Sequence, residues 1–137
     1  GNIGLGFVRG FRIRRGAIAS SIAHDSHNII ALGTNDADMA HAVSSLAKMN
    51  GGIVVVESQK VIASLALPIA GLMSDQDAGK VVKRLGKIRK AAENLGTTLR
   101  SPFMTLSFLP LAVIPHLRIT DKGLVDVDRF MRIPLFA

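Results

Sequence analysis

Two imidazoles, a carboxylate, a hydroxyl and an amide stand side by side at His24-Asp25-Ser26-His27-Asn28. Such groups can accept, donate and move protons near neutral pH, with each histidine tuned by the carboxylate beside it. Histidine and aspartate are also metal ligands. On a strand, residues three apart face opposite sides, so His24 and His27 would not converge on one ion. A turn would let them converge, yet a third ligand would still have to come from elsewhere, and no metal is expected within this chain. Two readings remain open. In one, His24, Asp25 and His27 are acid–base candidates facing a cleft, with Ser26 and Asn28 as substrate contacts. In the other, Asp25 and Asn28 bond turn amides while carbonyls satisfy the histidines.

The flanks raise the stakes. Ala17-Ile18-Ala19-Ser20-Ser21-Ile22-Ala23 runs into the cluster, and Ile29-Ile30-Ala31-Leu32-Gly33 resumes directly after it. Both read as buried strands. The polar run is therefore expected to be held against the core, where every unpartnered group is costly. A nucleophilic triad is poorly supported, because no Gly-x-Ser-x-Gly elbow is present and Ser20-Ser21 sit in an apolar strand. His116, after Pro115, has no evident partner.

With 137 residues the chain is expected to form one domain, residues 1–137, with a sizeable core. Hydrophobic residues make up 48% and mean hydropathy is +0.35, which excludes a disordered chain. Cysteine is absent, so disulfides and thiolate metal sites are excluded. Nothing points to secretion, and a cytoplasmic location is expected. Pro68, Pro110 and Pro115 interrupt the longest apolar runs, so no membrane span is expected. The start, Gly1-Asn2-Ile3-Gly4, lacks a leader and an initiating Met, and reads as the edge of a piece of something longer. Net charge is +7, which favours anionic partners without naming one. Six Phe with no Trp or Tyr, all in apolar runs, offer no stacking platform, so no nucleic-acid partner is expected.

Residues 3–15 alternate loosely, with Phe11 and Ile13 on one side and Arg12 and Arg14 on the other, predicting a half-buried strand. The glycines at 4, 6 and 10 lack the spacing of a phosphate loop. Gly16 marks a turn. Asn35 is placed to cap a helix with Asp36 and Asp38 in its first turn, an apolar stripe of Met39, Ala42, Val43, Leu46 and Met49, and a stop at Asn50-Gly51-Gly52. His41 falls off that stripe, on the solvated side. Ile53 to Val56 predicts a central strand, Glu57 to Lys60 a tight connection, and Val61 to Leu67 a further strand ending at Pro68. Ser74-Asp75-Gln76-Asp77 resembles a capping box opening a long helix. Its stripe is Ala78, Val81, Val82, Leu85, Ile88, Ala92 and Leu95, closed by Gly96. Lys80, Lys83, Arg84, Lys87 and Lys90 form its basic face, read as solvated, with binding of an anionic ligand, membrane or nucleic-acid surface as the alternative. Ser101-Pro102 opens a short helix. Ile119-Thr120, a turn at Asp121-Lys122-Gly123, Leu124 to Val127 and an apolar Ile133 to Phe136 close the chain. The element order predicts an α/β (α+β) domain, a mixed sheet with helices packed on it.

Several blocks in order make a more specific signal than any one motif. Gly16 to Asn28, Gly33-Thr34-Asn35-Asp36, Gly51 to Val56, Leu67-Pro68-Ile69-Ala70-Gly71-Leu72-Met73-Ser74, Pro102 to Leu109 and Ile119 to Asp126 together resemble the C-terminal domain of bacterial and archaeal adenine deaminases of the amidohydrolase superfamily. Arg12 departs from the small residue expected after Gly10-Phe11, which puts the local strand geometry in doubt. The resemblance implies hydrolysis of adenine to hypoxanthine and ammonia in purine salvage. It also implies manganese or iron held by a (β/α)-barrel that this chain lacks, so the chain alone is expected to be inactive. The partners it implies are that barrel of the same enzyme, adenine, and further copies in a homo-oligomer. It favours placing His24 to Asn28 at the barrel interface near the purine. The alternative is a non-catalytic interaction or oligomerisation domain in which the cluster is purely structural.

Overall fold

The computed structural model describes residues 2–136; Gly1, with the reading of the chain's start, and Ala137 lie outside them. Four strands form the main sheet: β1 (Ala17–Ser20), β2 (Ile30–Gly33), β3 (Gly52–Glu57) and β4 (Lys60–Ala66). Their order is β2-β1-β3-β4, antiparallel at each pairing. Helix α1 (Asp36–Lys48) follows β2, α2 (Ala78–Leu95) follows β4, and α3 (Pro102–Ser107) follows α2. A second antiparallel sheet joins β5 (Leu117–Thr120), β6 (Gly123–Asp126) and β7 (Met131–Ile133).

The side-chain period of two sends alternate residues of β1 and β3 to opposite faces. Ile18, Ile53 and Val55 meet Ile88, Ala92 and Leu95 of α2 and Leu106 of α3, with Phe11 closing that cluster. Ala17, Ala19, Val54 and Val56 meet Ala42 and Leu46 of α1. The main sheet is thus covered on both sides, which is why Ile53 to Val56 carry no polar residue. Each large core side chain contributes about 1.5–3 kcal/mol by leaving water. Small residues let α1 approach closely: a Cβ on Gly33 would lie 2.8 Å from both the Ala17 Cβ and the Met39 Cγ.

The α+β class holds, and two features differ from expectation. The strands form two antiparallel sheets where one mixed sheet was expected. Residues 3–15 form no strand, although Phe11 is buried while Arg12 and Arg14 are exposed. Gly10 and Arg12 adopt left-handed φ values of 100° and 58°, which break an extended run, so the departure at Arg12 is where the strand fails. Arg14 N–H instead donates to the Leu95 carbonyl at 2.9 Å, tying this segment to the end of α2.

Helix ends follow their residues with two exceptions, the start of α2 and that of α3, where Ser101 precedes Pro102 but makes no side-chain cap bond. Asn35 caps α1 by accepting the Asp38 N–H at 2.8 Å. Gly96 ends α2 at φ 116°, a conformation glycine adopts without strain. The Ser74 hydroxyl, however, accepts the Gln76 N–H in a local turn, and α2 begins only at Ala78. Val82 and Leu85 are exposed, so the buried stripe of α2 is confined to its C-terminal half.

Candidate functional site

The polar run is the tip of the β1–β2 connection, at one end of the main sheet. Asp25, Ser26, His27 and Asn28 are exposed and His24 is half-buried, so the cluster projects from the core instead of lying against it. The flanking strands are indeed sequestered, but the chain leaves the sheet after Ser20 and returns only at Ile30. Polar groups there are wetted, and the burial cost expected from the flanks does not arise.

The turn is nevertheless pinned. At its root the buried Ser21 hydroxyl accepts the Gly52 N–H at 2.7 Å and donates to the Gly71 carbonyl at 2.6 Å. This node needs glycine around it: a Cβ on Gly51, at φ 103°, would stand 2.5 Å from the Gly71 Cα. The His24 N–H donates to the Ser107 carbonyl at 2.9 Å, filling one of the acceptors left open at the end of α3. The His27 N–H donates to the Ala23 carbonyl at 2.6 Å, closing a single helical turn. The Ala23 N–H meets His27 Nδ1 at 3.4 Å, so a neutral His27 ring carries its proton on Nε2. His27 holds a left-handed φ of 50°, sparsely populated for a residue with a Cβ.

This geometry brings the two imidazoles together. Their ring centroids are 5.6 Å apart, edge to face, and the His24 ring lies 4.8 Å from that of Phe108. The side chains of Asp25, Ser26 and Asn28 make no hydrogen bond among the described residues, so the bracing expected of Asp25 and Asn28 is absent there. Beside the turn, Phe108 is 39% exposed, Ile29 43% and, on α3, Met104 58%. Proton-handling groups are thus grouped next to apolar surface, with free hydrogen-bonding capacity. Among the described residues, no three histidine or carboxylate side chains converge as a metal site would require. The described residues therefore offer no such donor set for manganese or iron, and no step is routed through a metal here.

Three polar features escaped sequence reasoning. Asp38, assigned only to a helix first turn, is buried and accepts the Gln59 N–H at 2.6 Å in the β3–β4 turn. The Asn35 amide, then the Gln59 and Ser58 backbone groups, hold its carboxyl below the usual aspartate range, against the opposing effect of burial. His41, expected to be solvated, is half-buried and its field acts in the same direction. Asp38 could have been found from its helical distance to Leu46, which puts it on the buried face. His116 does have a partner, Asp128, but the imidazole is exposed and far along the chain from the turn.

Residues 1–131 match the family described as the adenine deaminase C-terminal domain. An adenine deaminase of Dehalococcoides mccartyi is 58% identical over 134 residues, covering 98% of this chain and 24% of that protein. Adenine deaminase 1 of Rhizobium meliloti is 56% identical over 133 residues, covering 97% and 24%. An adenine deaminase of Methylobacterium nodulans is 58% identical over 127 residues, covering 93% and 22%. The chain thus spans about a quarter of the length of these relatives, and no helix among the described residues is long and apolar enough to cross a membrane. Near-complete coverage of this chain, at such identity, means that it belongs to the adenine deaminase C-terminal domain family.

Proposed function

We propose that this domain completes the active site of an enzyme that hydrolyses adenine to hypoxanthine and ammonia, with the His24–Asn28 turn docked against a metal-binding barrel. The reaction adds water to the amidine carbon of adenine and releases the exocyclic nitrogen as ammonia, so a proton must reach that nitrogen. Manganese or iron, held by the barrel and not by residues of this chain, would supply the activated water. This chain's part is to cover the purine, exclude bulk water and supply hydrogen bonds at its edge. His24, Asp25 and His27 are the proton-handling candidates, with Ser26 and Asn28 as substrate contacts. Purine salvage in the cytoplasm is the setting this reading implies, with a homo-oligomer as the assembly.

The observation that supports it most is the contrast within the turn. Its backbone is anchored to Ser107 and Ala23, while three of its polar side chains are exposed and without partners among the described residues. Backbone anchoring with unspent side-chain capacity is what a preorganised contact surface requires. One observation favours the alternative of an interaction domain with a purely structural turn: His27 Nδ1 already accepts a backbone N–H. The test is His24→Ala and His27→Ala, each in the long enzyme. Turnover of adenine should fall about a hundredfold or more while the melting temperature holds. Retained turnover with a lowered melting temperature would select the structural alternative.

A further inference from the structure

At the opposite end of the main sheet from the His24–Asn28 turn lies a groove of about 850 Å³. Its position follows from the register. Ser20, leading to the turn, pairs with Ile53, whereas Ala17 pairs with Val56, next to Glu57. Arg15 and Glu57 mark this far end, Ile62, Ala63 and Ser64 of β4 form the floor, and Arg84, Lys87 and Lys90 of α2 form the wall.

Two independent features of the groove agree. β4 is an edge strand, paired only with β3; the register slips between Val55 and Val56, which leaves Ile62 as a bulge, and the backbone of Ile62 to Ser64 makes no other hydrogen bond among the described residues. An antiparallel edge leaves every second residue with an outward N–H and C=O, a template for another strand. The groove also carries four cations against one carboxylate. Glu57 is taken by Arg15, and Arg84, Lys87 and Lys90 have no ion-pair partner among the described residues. These three recur at i, i+3 and i+6 along α2, and all of them line the groove beside the edge strand.

We infer that the groove takes an acidic, extended segment of a separate protein, added as a fifth strand on β4 with its carboxylates against Arg84, Lys87 and Lys90. Backbone pairing supplies affinity and the acidic side chains supply selection, as in other strand-addition complexes. A second copy of this chain fits poorly, since pairing β4 with β4 would press the two basic walls together. The groove lies toward the other end of the sheet from the turn assigned to the proposed catalytic partner.

The test uses this chain, isotope-labelled, and a fluorescent eight-residue peptide alternating glutamate and valine. The peptide should bind at low salt, weaken as salt rises, and shift the amides of Ile62, Ala63 and Ser64. The double variant R84E/K87E should weaken binding by about tenfold or more. Both substitutions lie on the exposed face of α2, and dispersed amide spectra check that folding survives; K90Q serves if they do not. A peptide with N-methyl groups on alternate amides, or with lysine for glutamate, should not bind. Absent binding, unchanged binding to R84E/K87E, full affinity of the N-methylated peptide, or shifts confined to other elements would each overturn the inference. Tighter binding of oligouridine or anionic phospholipid vesicles at the same residues would overturn it in favour of those partners.

Discussion

Two polar clusters sit on this small domain and are treated in opposite ways. Around Asp38, the buried carboxylate, the Asn35 amide and the Gln59 N–H use one another up, locking the start of α1 to the β3–β4 turn. Around His24, the backbone and one ring nitrogen of His27 are used up, while Asp25, Ser26 and Asn28 present exposed side chains with no partner among the described residues. A saturated cluster holds elements together and has nothing left with which to bind. An anchored but unsaturated one has that capacity to spare. The same residue types thus serve the fold in one place and are free for a partner in the other.

The comparison breaks most visibly through activity. In the long enzyme, Asp25→Asn should lower adenine turnover by about tenfold to a hundredfold, with the urea midpoint unchanged. Equal loss of stability would place Asp25 with Asp38. Below the turn, Ser21→Val leaves the Gly52 N–H and Gly71 carbonyl unpaired. It should cost about 2–3 kcal/mol in chemical denaturation of this chain. A value near zero would mean that the turn is not anchored there. Asn35→Ala removes the α1 cap and should cost about 1 kcal/mol by the same measurement.

The smallest effect concerns pH. Because the folded Asp38 carboxyl lies below its ordinary value of 3.8, its contribution is fully present above that value and is lost as pH falls through the lower, folded one. Asp38→Asn should therefore flatten the acid limb of urea midpoint against pH and leave the neutral region's slope alone. An unchanged acid limb would remove Asp38 from the saturated cluster.

Much of this was legible from residue order. The strands flanking the turn, the Asn35 cap, the apolar run of β3 and the glycine end of α2 each depend on a few neighbouring residues, and local pattern suffices for them. What failed depends on distant partners. Phe11 to Arg14 alternate as a strand would, but strand formation needs a free edge, and Arg14 is bonded to the end of α2 instead. Burial of Asp38 is explained by Gln59, twenty-one positions away, and a one-dimensional pattern does not show a turn reaching over a helix. The residues of the candidate site were chosen from their types alone. Their exposure was not, because apolar flanks say where the strands go and nothing of how far the loop between them projects.

The most direct measurement is the rate at which diethyl pyrocarbonate modifies His24 and His27, read by peptide mass spectrometry in this chain and in the long enzyme. Docking of the turn against a catalytic partner predicts rapid modification of both imidazoles in the isolated chain and strong protection in the long enzyme, deepened by adenine. Equal rates in the two proteins, with and without adenine, would contradict it.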